Sequence, residues 1–265
     1  MKIALCQHPG VAGRKAEALA AMEAAARAAA AQGARLIVFP EMFLTGYAVA
    51  GAELARLAET ADGPAAARAA GIAEAAGIAL LYGYPEREGE RIFNAARLID
   101  RRGRTLAAYR KTHLYGEGEK RRFAPGARLA AAELEGLTIG ILICYDVEFP
   151  EAVRALALAG CALVAVPTAL LAPDDIVART LVPARAFENQ LYVAYAGLCG
   201  SEGETAYCGL STVVAPDGRE LARAGGGPEL ICAEIDPAAI PRSRAANPYL
   251  ADRRPKLYAA PVARG

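Results

Sequence analysis

The chain has 265 residues, 54% of them hydrophobic, and its 30 basic and 29 acidic residues leave a formal net charge of +1. That length and apolar content suffice for one large domain with a substantial core, and the even charge gives no electrostatic footprint for nucleic acid. Six scattered cysteines with no CxxC pair do not form a disulfide framework, and two histidines are too few for an ordinary catalytic zinc site, so neither a metal nor an organic cofactor is expected.

In chain order, MKIALCQHPG opens with too short an apolar stretch for a secretory signal, which makes a cytoplasmic location the expectation, and KIALCQ reads as a first strand. RKAEALAAMEAAARAAAAQG is an alanine-rich helix stopped by Gly33. RLIVFP is a buried strand, PAAARAAGIAEAAG a helix with Gly77 past its end, and GIALLYGYPE another strand. RIFNAARLID and GRTLAAYRK form a hairpin, and LEGLTIGILIC is a central strand. ALALAGCALVAVPTALLA, residues 155–172, has the length of a membrane span. Gly160 and Pro167 interrupt it, however, and it reads better as a helix followed by a buried strand, with no membrane role expected. DIVARTLVPARAFENQ is helical and LYVAYAGLCG a strand. AYCGLSTVVAPDGRELARAG contains strands around a Pro-Asp-Gly turn, and ELICAEID is a last strand. The tail from about residue 246, NPYLADRRPKLYAAPVARG, lacks a clear element and is expected to wrap over a neighbouring surface. The pattern is an α/β chain with mixed sheets and outer helices, residues 1–265 forming a single domain.

Functional groups of open α/β sheets collect beyond the carboxyl ends of strands. Glu41 follows RLIVFP, Lys111 follows TLAAYR and Cys144 follows LTIGILI. The chemistry of the three is complementary. A carboxylate whose proton affinity is raised by burial takes a thiol proton. A lysine ammonium stabilises both the thiolate and the oxyanion that forms next, and the backbone N–H of Tyr145 is a second oxyanion donor. Pro150 opens the following helix, so ILICYDVEFPE is a strand, a sharp turn and a helix with the nucleophile at the bend.

FPEMFLTGY, YRKTHLYG and GILICYDVEFPE resemble the three signature motifs of the nitrilase superfamily of carbon–nitrogen hydrolases. The likeness also takes in ADGPAA, YGYPER, IFNAARLID, FAPG and ARAFENQLYV. The resemblance implies a four-layer αββα sandwich and an enzyme in which Glu41 is the general base, Lys111 stabilises the intermediate and Cys144 forms a thioester. It implies a second catalytic glutamate, Glu119 by the count back from Pro-Gly, with Glu117 as competitor. It also implies a homodimer with exchanged tails. Within the family the motifs most resemble those of bacterial aliphatic amidases such as 5-aminopentanamidase and R-stereoselective amidase. The expected partner is therefore a small amide, with N-carbamoyl amines or nitriles as alternatives in the same family and a non-catalytic binding protein as the alternative outside it.

Supporting roles are expected elsewhere. Tyr47, Glu117, Thr168 and Ala169 are candidate pocket residues, although Tyr47 reads equally well as core. Cys199 and Cys208 are candidates for the rim, and His113 for a structural role behind the site. Of Asp146, Glu148 and Glu151, one is expected to cap the helix at Pro150 and another to pair with Arg185, while Asn94 is expected to bond backbone. For an amide bearing an ammonium, Asp174, Asp175, Glu202 and Glu204 are the candidate counter-charges.

Overall fold

The computed structural model describes residues 1–259. In its first half, β1 (Lys2–Pro9), α1 (Lys15–Ala31), β2 (Leu36–Val38), α2 (Gly51–Leu57), α3 (Pro64–Ala76), β3 (Ala79–Glu88), β4 (Arg91–Ile99) and β5 (Thr105–Arg110) succeed one another. Then α4 (Gly116–Arg122), β6 (Ala130–Leu134) and β7 (Leu137–Ile141) lead to a 3-10 turn, Cys144–Glu148, and to α5 (Pro150–Leu158). The second half holds β8 (Leu163–Thr168), a π turn (Val177–Leu181) running into α6 (Val182–Asn189), and β9 (Tyr192–Glu202). It closes with β10 (Thr205–Cys208), β11 (Thr212–Val214), β12 (Glu220–Arg223), β13 (Glu229–Glu234), α7 (Ala239–Ala246), α8 (Tyr249–Asp252) and α9 (Pro255–Tyr258).

One sheet runs β5-β4-β3-β2-β1-β13, with β1, β2 and β3 parallel and the rest antiparallel. The other runs β6-β7-β8-β9-β11-β12, with β7, β8 and β9 parallel. They meet where His8 and Pro9 of β1 pair with Leu198 and Cys199 of β9. Period-two alternation sorts each strand's side chains between two layers. Ile3, Leu5, Leu36, Val38 and Leu81 share a core with Ile139, Ile141 and Val164 of the second sheet. Their alternates Ala4, Ile37, Phe39, Leu80 and Tyr82 pack against Ala18, Met22 and Ala26 of α1 and Ala69 and Ile72 of α3. Val153 and Leu156 of α5 and Val182 and Ala186 of α6 join the core of the second sheet. The layers are therefore helix, sheet, sheet, helix, as the motif resemblance implied.

Most elements fall where the pattern placed them. α3 ends where Gly77 takes φ +67°, a left-handed conformation that costs glycine little. Residues 155–172 divide into the end of α5 and β8, and no helix among the described residues is long and apolar enough to cross a membrane. Three differences are local. LEGLTIGILIC pairs back on an extra strand, β6, whose half-exposed alanines carry little pattern. Short helices α2, α4 and α7 lie in stretches to which the pattern assigned no element. The tail, read as lacking a clear element, carries the one-turn helices α8 and α9 up to Tyr258; residues 260–265 lie outside the described residues.

Candidate active site

Glu41 follows β2, Lys111 follows β5 and Cys144 follows β7, so two groups come from one sheet and the third from the other. The packing of the sheets brings them together. Lys111 Nζ donates to Glu41 Oε1 and to Glu119 Oε1, each at 2.8 Å, and the three side chains are fully or almost fully buried. Asn94 Nδ2 gives Glu41 Oε1 a second donor at 2.7 Å. Tyr47 OH donates to Glu119 Oε1 at 2.7 Å, and the Tyr115 N–H to Glu119 Oε2 at 2.7 Å. Glu41 Oε2 has no hydrogen-bond partner among the described residues.

Burial holds the Glu41 carboxyl above its ordinary value, against the pull of Lys111 and with the help of Glu119. Burial opposes the Lys111 charge, but the attraction of Glu41, Cys144 and Glu119 holds the ammonium above the ordinary lysine value. The Cys144 thiol is likewise pushed up, by burial first and then by Glu41; Lys111, the Thr168 hydroxyl and the Ala169 N–H act the other way. A resting thiol beside a proton-seeking carboxylate calls for transfer on demand rather than a stored thiolate. Cys144 sits at φ +45°, the sharp bend that its motif suggested and a conformation that costs a non-glycine residue energy.

Asp146 braces that bend. It accepts from the Ile143 N–H at 3.0 Å, Tyr109 OH at 2.8 Å, Thr112 Oγ1 at 2.9 Å and the His113 N–H at 2.9 Å. Its cap is therefore on the 3-10 turn, whereas α5 starts at Pro150 without a side-chain cap. His113 stacks on Phe149 with 3.9 Å between ring centres, away from the cavity. Arg185 pairs with none of the three acids expected for it. It donates to the carbonyls of Val147 and Glu148 and to Glu188 Oε1. Asn94 bonds the Glu41 carboxylate through its side chain, where only a backbone contact was expected.

A cavity of about 370 Å³ opens on Cys144, a size suited to a small molecule. Tyr47, Tyr115, Tyr145 and Ala169 line it, with an apolar wall that includes Leu170, Leu171, Ile176, Val177 and Leu181. Its two acidic residues are Glu148 and Asp174. Burial and then the Asp174 charge hold the Glu148 carboxyl above its ordinary value. Among the sequence candidates for the pocket and its counter-charge, Ala169, Tyr47 and Asp174 reach this cavity. Thr168 lies behind it, fully buried and 2.9 Å from Tyr195 OH. Glu117 is exposed and pairs with Lys120, so the position beside Lys111 belongs to Glu119. Asp175 pairs with Arg179 at the surface, and Glu204 is exposed. Glu202 is buried against backbone N–H groups away from the cavity. Cys199 is wholly buried, and Cys208 donates weakly to the Leu171 carbonyl from behind the wall. The apolar wall of Leu170, Leu171, Ile176, Val177 and Leu181 and the place of Glu148 in the lining escaped the sequence reading, because no local pattern distinguishes lining from core or cap.

The family model for carbon–nitrogen hydrolases matches residues 2–245. The chain is 52% identical over 227 residues to a protein of Pseudomonas protegens described as a hydrolase in the pqqF 5′ region, covering 85% of this chain and 80% of that one. It is 36% identical to an (R)-stereoselective amidase of a Pseudomonas species, covering 83% and 79%. Among solved structures, an amidase from a Nesterenkonia species superposes with a TM-score of 0.85 at 38% identity, covering 97% of this chain and 95% of that one. A mutant of that amidase has been solved after Michael addition of acrylamide at its active-site cysteine. With the family model spanning nearly all of the described residues and solved relatives sharing the whole fold, this chain belongs to the carbon–nitrogen hydrolase, or nitrilase, superfamily of enzymes.

Proposed function

We propose that the enzyme is an amidase that converts a small aliphatic amide to its carboxylate and ammonia through a thioester on Cys144. The observation that carries this reading is the buried Lys111 ammonium held between two carboxylates, with Cys144 at the cavity beside it. Glu41 takes the thiol proton, its unpartnered Oε2 being the free acceptor, as sulfur attacks the amide carbon. Lys111 and the Tyr145 N–H hold the oxyanion, while Glu119 holds Lys111. Collapse breaks the carbon–nitrogen bond, and the proton on Glu41 leaves with ammonia. Water then gives a proton to Glu41 and adds to the thioester, and the second collapse breaks the carbon–sulfur bond and restores the thiol. Water is the only co-substrate, and the proton count closes on Glu41 in each half.

Glu148 and Asp174, the acidic residues of a lining otherwise made of tyrosines and apolar side chains, favour an amide that carries an ammonium, of the 5-aminopentanamide kind. The amidase names of the Pseudomonas and Nesterenkonia relatives support the leaving group. A cytoplasmic homodimer is part of the same reading; exposed Leu158, Leu257 and Tyr258 support the dimer.

The test is ammonia release by wild type and Cys144→Ala from 5-aminopentanamide, pentanamide, an N-carbamoyl amine and a nitrile. Cys144-dependent release from the amides, fastest with the amino-terminated one, is expected. Release from the carbamoyl compound or nitrile alone would replace the substrate class, and silence across the panel would favour a binding role.

A further inference from the structure

Glu202, at the end of β9, is buried among donors, at 5% exposure. Its Oε2 accepts from the Tyr47 N–H at 2.9 Å, the Ala48 N–H at 2.8 Å and Tyr207 OH at 2.8 Å, and its Oε1 from the Ala12 N–H at 3.3 Å. Two glycines shape the cradle. A Cβ at Gly10 would lie 1.8 Å from Glu202 Oε1, and one at Gly46, which has φ +83°, would lie 2.4 Å from it. The loop that ends in Tyr47 is thus tied to a fixed charge by two consecutive backbone N–H groups. Charge-assisted bonds of this kind are short and strong.

The side chain of Tyr47 projects from that tie toward the active site. Its hydroxyl donates to Glu119 Oε1, the same oxygen that accepts from Lys111 Nζ. Tyr207 holds Glu202 through its hydroxyl and also packs edge-on against the Tyr47 ring, with 6.4 Å between centres. Arg122 completes the enclosure by donating to the Tyr47 carbonyl at 3.0 Å.

We infer that Glu202 is a positioning residue for the Lys111 site: it fixes the Tyr47 backbone so that the Tyr47 hydroxyl holds Glu119 against Lys111. The inference rests on the Lys111-centred mechanism proposed above. Glu202 touches neither Lys111 nor the cavity, and its effect travels along one chain of contacts, from Glu202 through Tyr47 and Glu119 to Lys111. It therefore has a thermodynamic signature, because two residues acting through one path are not additive.

The experiment compares Tyr47→Phe, Glu202→Ala, Glu202→Gln and the Tyr47→Phe/Glu202→Ala double variant, assayed on the best amide of the panel, with crystal structures of the single variants. Glu202→Ala is expected to lower kcat about 10- to 100-fold, the equivalent of one charge-assisted hydrogen bond, with KM changed less than about threefold. In the Tyr47→Phe background the same substitution is expected to cost less than about twofold. Glu202→Gln keeps an acceptor for the Tyr47 and Ala48 N–H groups and is expected to restore most of kcat. In the Glu202→Ala crystal, Tyr47 OH is expected beyond hydrogen-bond distance of Glu119. If Glu202→Ala does not fold, Tyr207→Phe takes its place, with a smaller kcat loss that again vanishes in the Tyr47→Phe background. Additive losses, or an unmoved Tyr47–Glu119 bond in the crystal, would overturn the inference. A wild type silent on every amide would overturn the amidase reading instead, leaving the Tyr47 displacement to decide the network independently.

Discussion

Lys111 Nζ lies 2.8 Å from Glu41 Oε1, with both side chains wholly shut off from solvent. Asn94 bonds the same oxygen, whereas Glu41 Oε2 has no partner among the described residues. The carboxylate is therefore anchored on one side and free to carry a proton on the other.

That asymmetry sets a pH dependence. Burial raises the proton affinity of Glu41 and the nearby Glu119 charge adds to it. The acid limb of kcat/KM is expected at an apparent pKa above the ordinary glutamate value of about 4.3. Because Glu119 pushes in the raising direction, Glu119→Gln should move that limb to lower pH on its residual activity. A limb that moves upward would contradict the assignment. For stability the sign is that of a raised carboxylate: the folded state binds the proton more tightly than the unfolded one. This contribution is complete below the unfolded value and is lost as pH rises through the folded one.

The Cys144 thiol responds to the two neighbours with opposite signs. Glu41 raises its proton affinity and Lys111 lowers it. The pH profile of Cys144 alkylation by iodoacetamide should shift to lower pH in Glu41→Gln and to higher pH in Lys111→Met. Hydrolysis should nevertheless fall about 10²- to 10⁴-fold in Glu41→Gln, because the acid–base step is gone. Shifts of the same sign in both variants would refute the arrangement.

Removing the Lys111 charge leaves Glu41 and Glu119 facing each other without compensation. Lys111→Met is expected to cost about 3–5 kcal/mol, the range for breaking a buried ion pair from one side. The loss should grow with pH, because low pH lets the stranded carboxylates protonate. Urea unfolding at two pH values checks this, and a pH-independent loss would contradict it.

Asp146 serves stability and geometry at once through its bonds to Ile143, Tyr109, Thr112 and His113. Asp146→Ala strands several donors, and a loss of about 3 kcal/mol or more is expected. Turnover should fall as well, since the bend at Cys144 loses its brace. Thermal melts and ammonia release read the two effects, and wild-type melting would contradict the first.

Charge selectivity is expected to reside in Glu148 and Asp174. Replacing both by their amides should lower the preference for 5-aminopentanamide over pentanamide about tenfold, the factor that corresponds to 1.4 kcal/mol. An unchanged ratio of kcat/KM values would remove the ammonium from the substrate reading.

Most strands, and Glu41, Lys111 and Cys144 at their ends, are legible in local pattern, whereas the order of the layers followed from the likeness of the three motifs to a known family and β6 was missed. Alternating apolar residues mark the strand, and the change from ILI to CYD marks where it ends. The sequence favoured Glu119 over Glu117 only by a count back from Pro-Gly. Two residues apart on a helix they point about 200° apart, and only the docking of α4 shows that Glu119 is the one turned inward to Lys111. The same limit hid the bond from Asn94 to Glu41, the carbonyl partners of Arg185 and the place of Glu148 in the cavity wall. The sequence also offered Glu202 as a candidate counter-charge for the substrate, when the fold buries it against the Tyr47 and Ala48 backbone. Each of these depends on which surfaces meet when two sheets pack, and that is a property of contacts distant in sequence, which no local periodicity records.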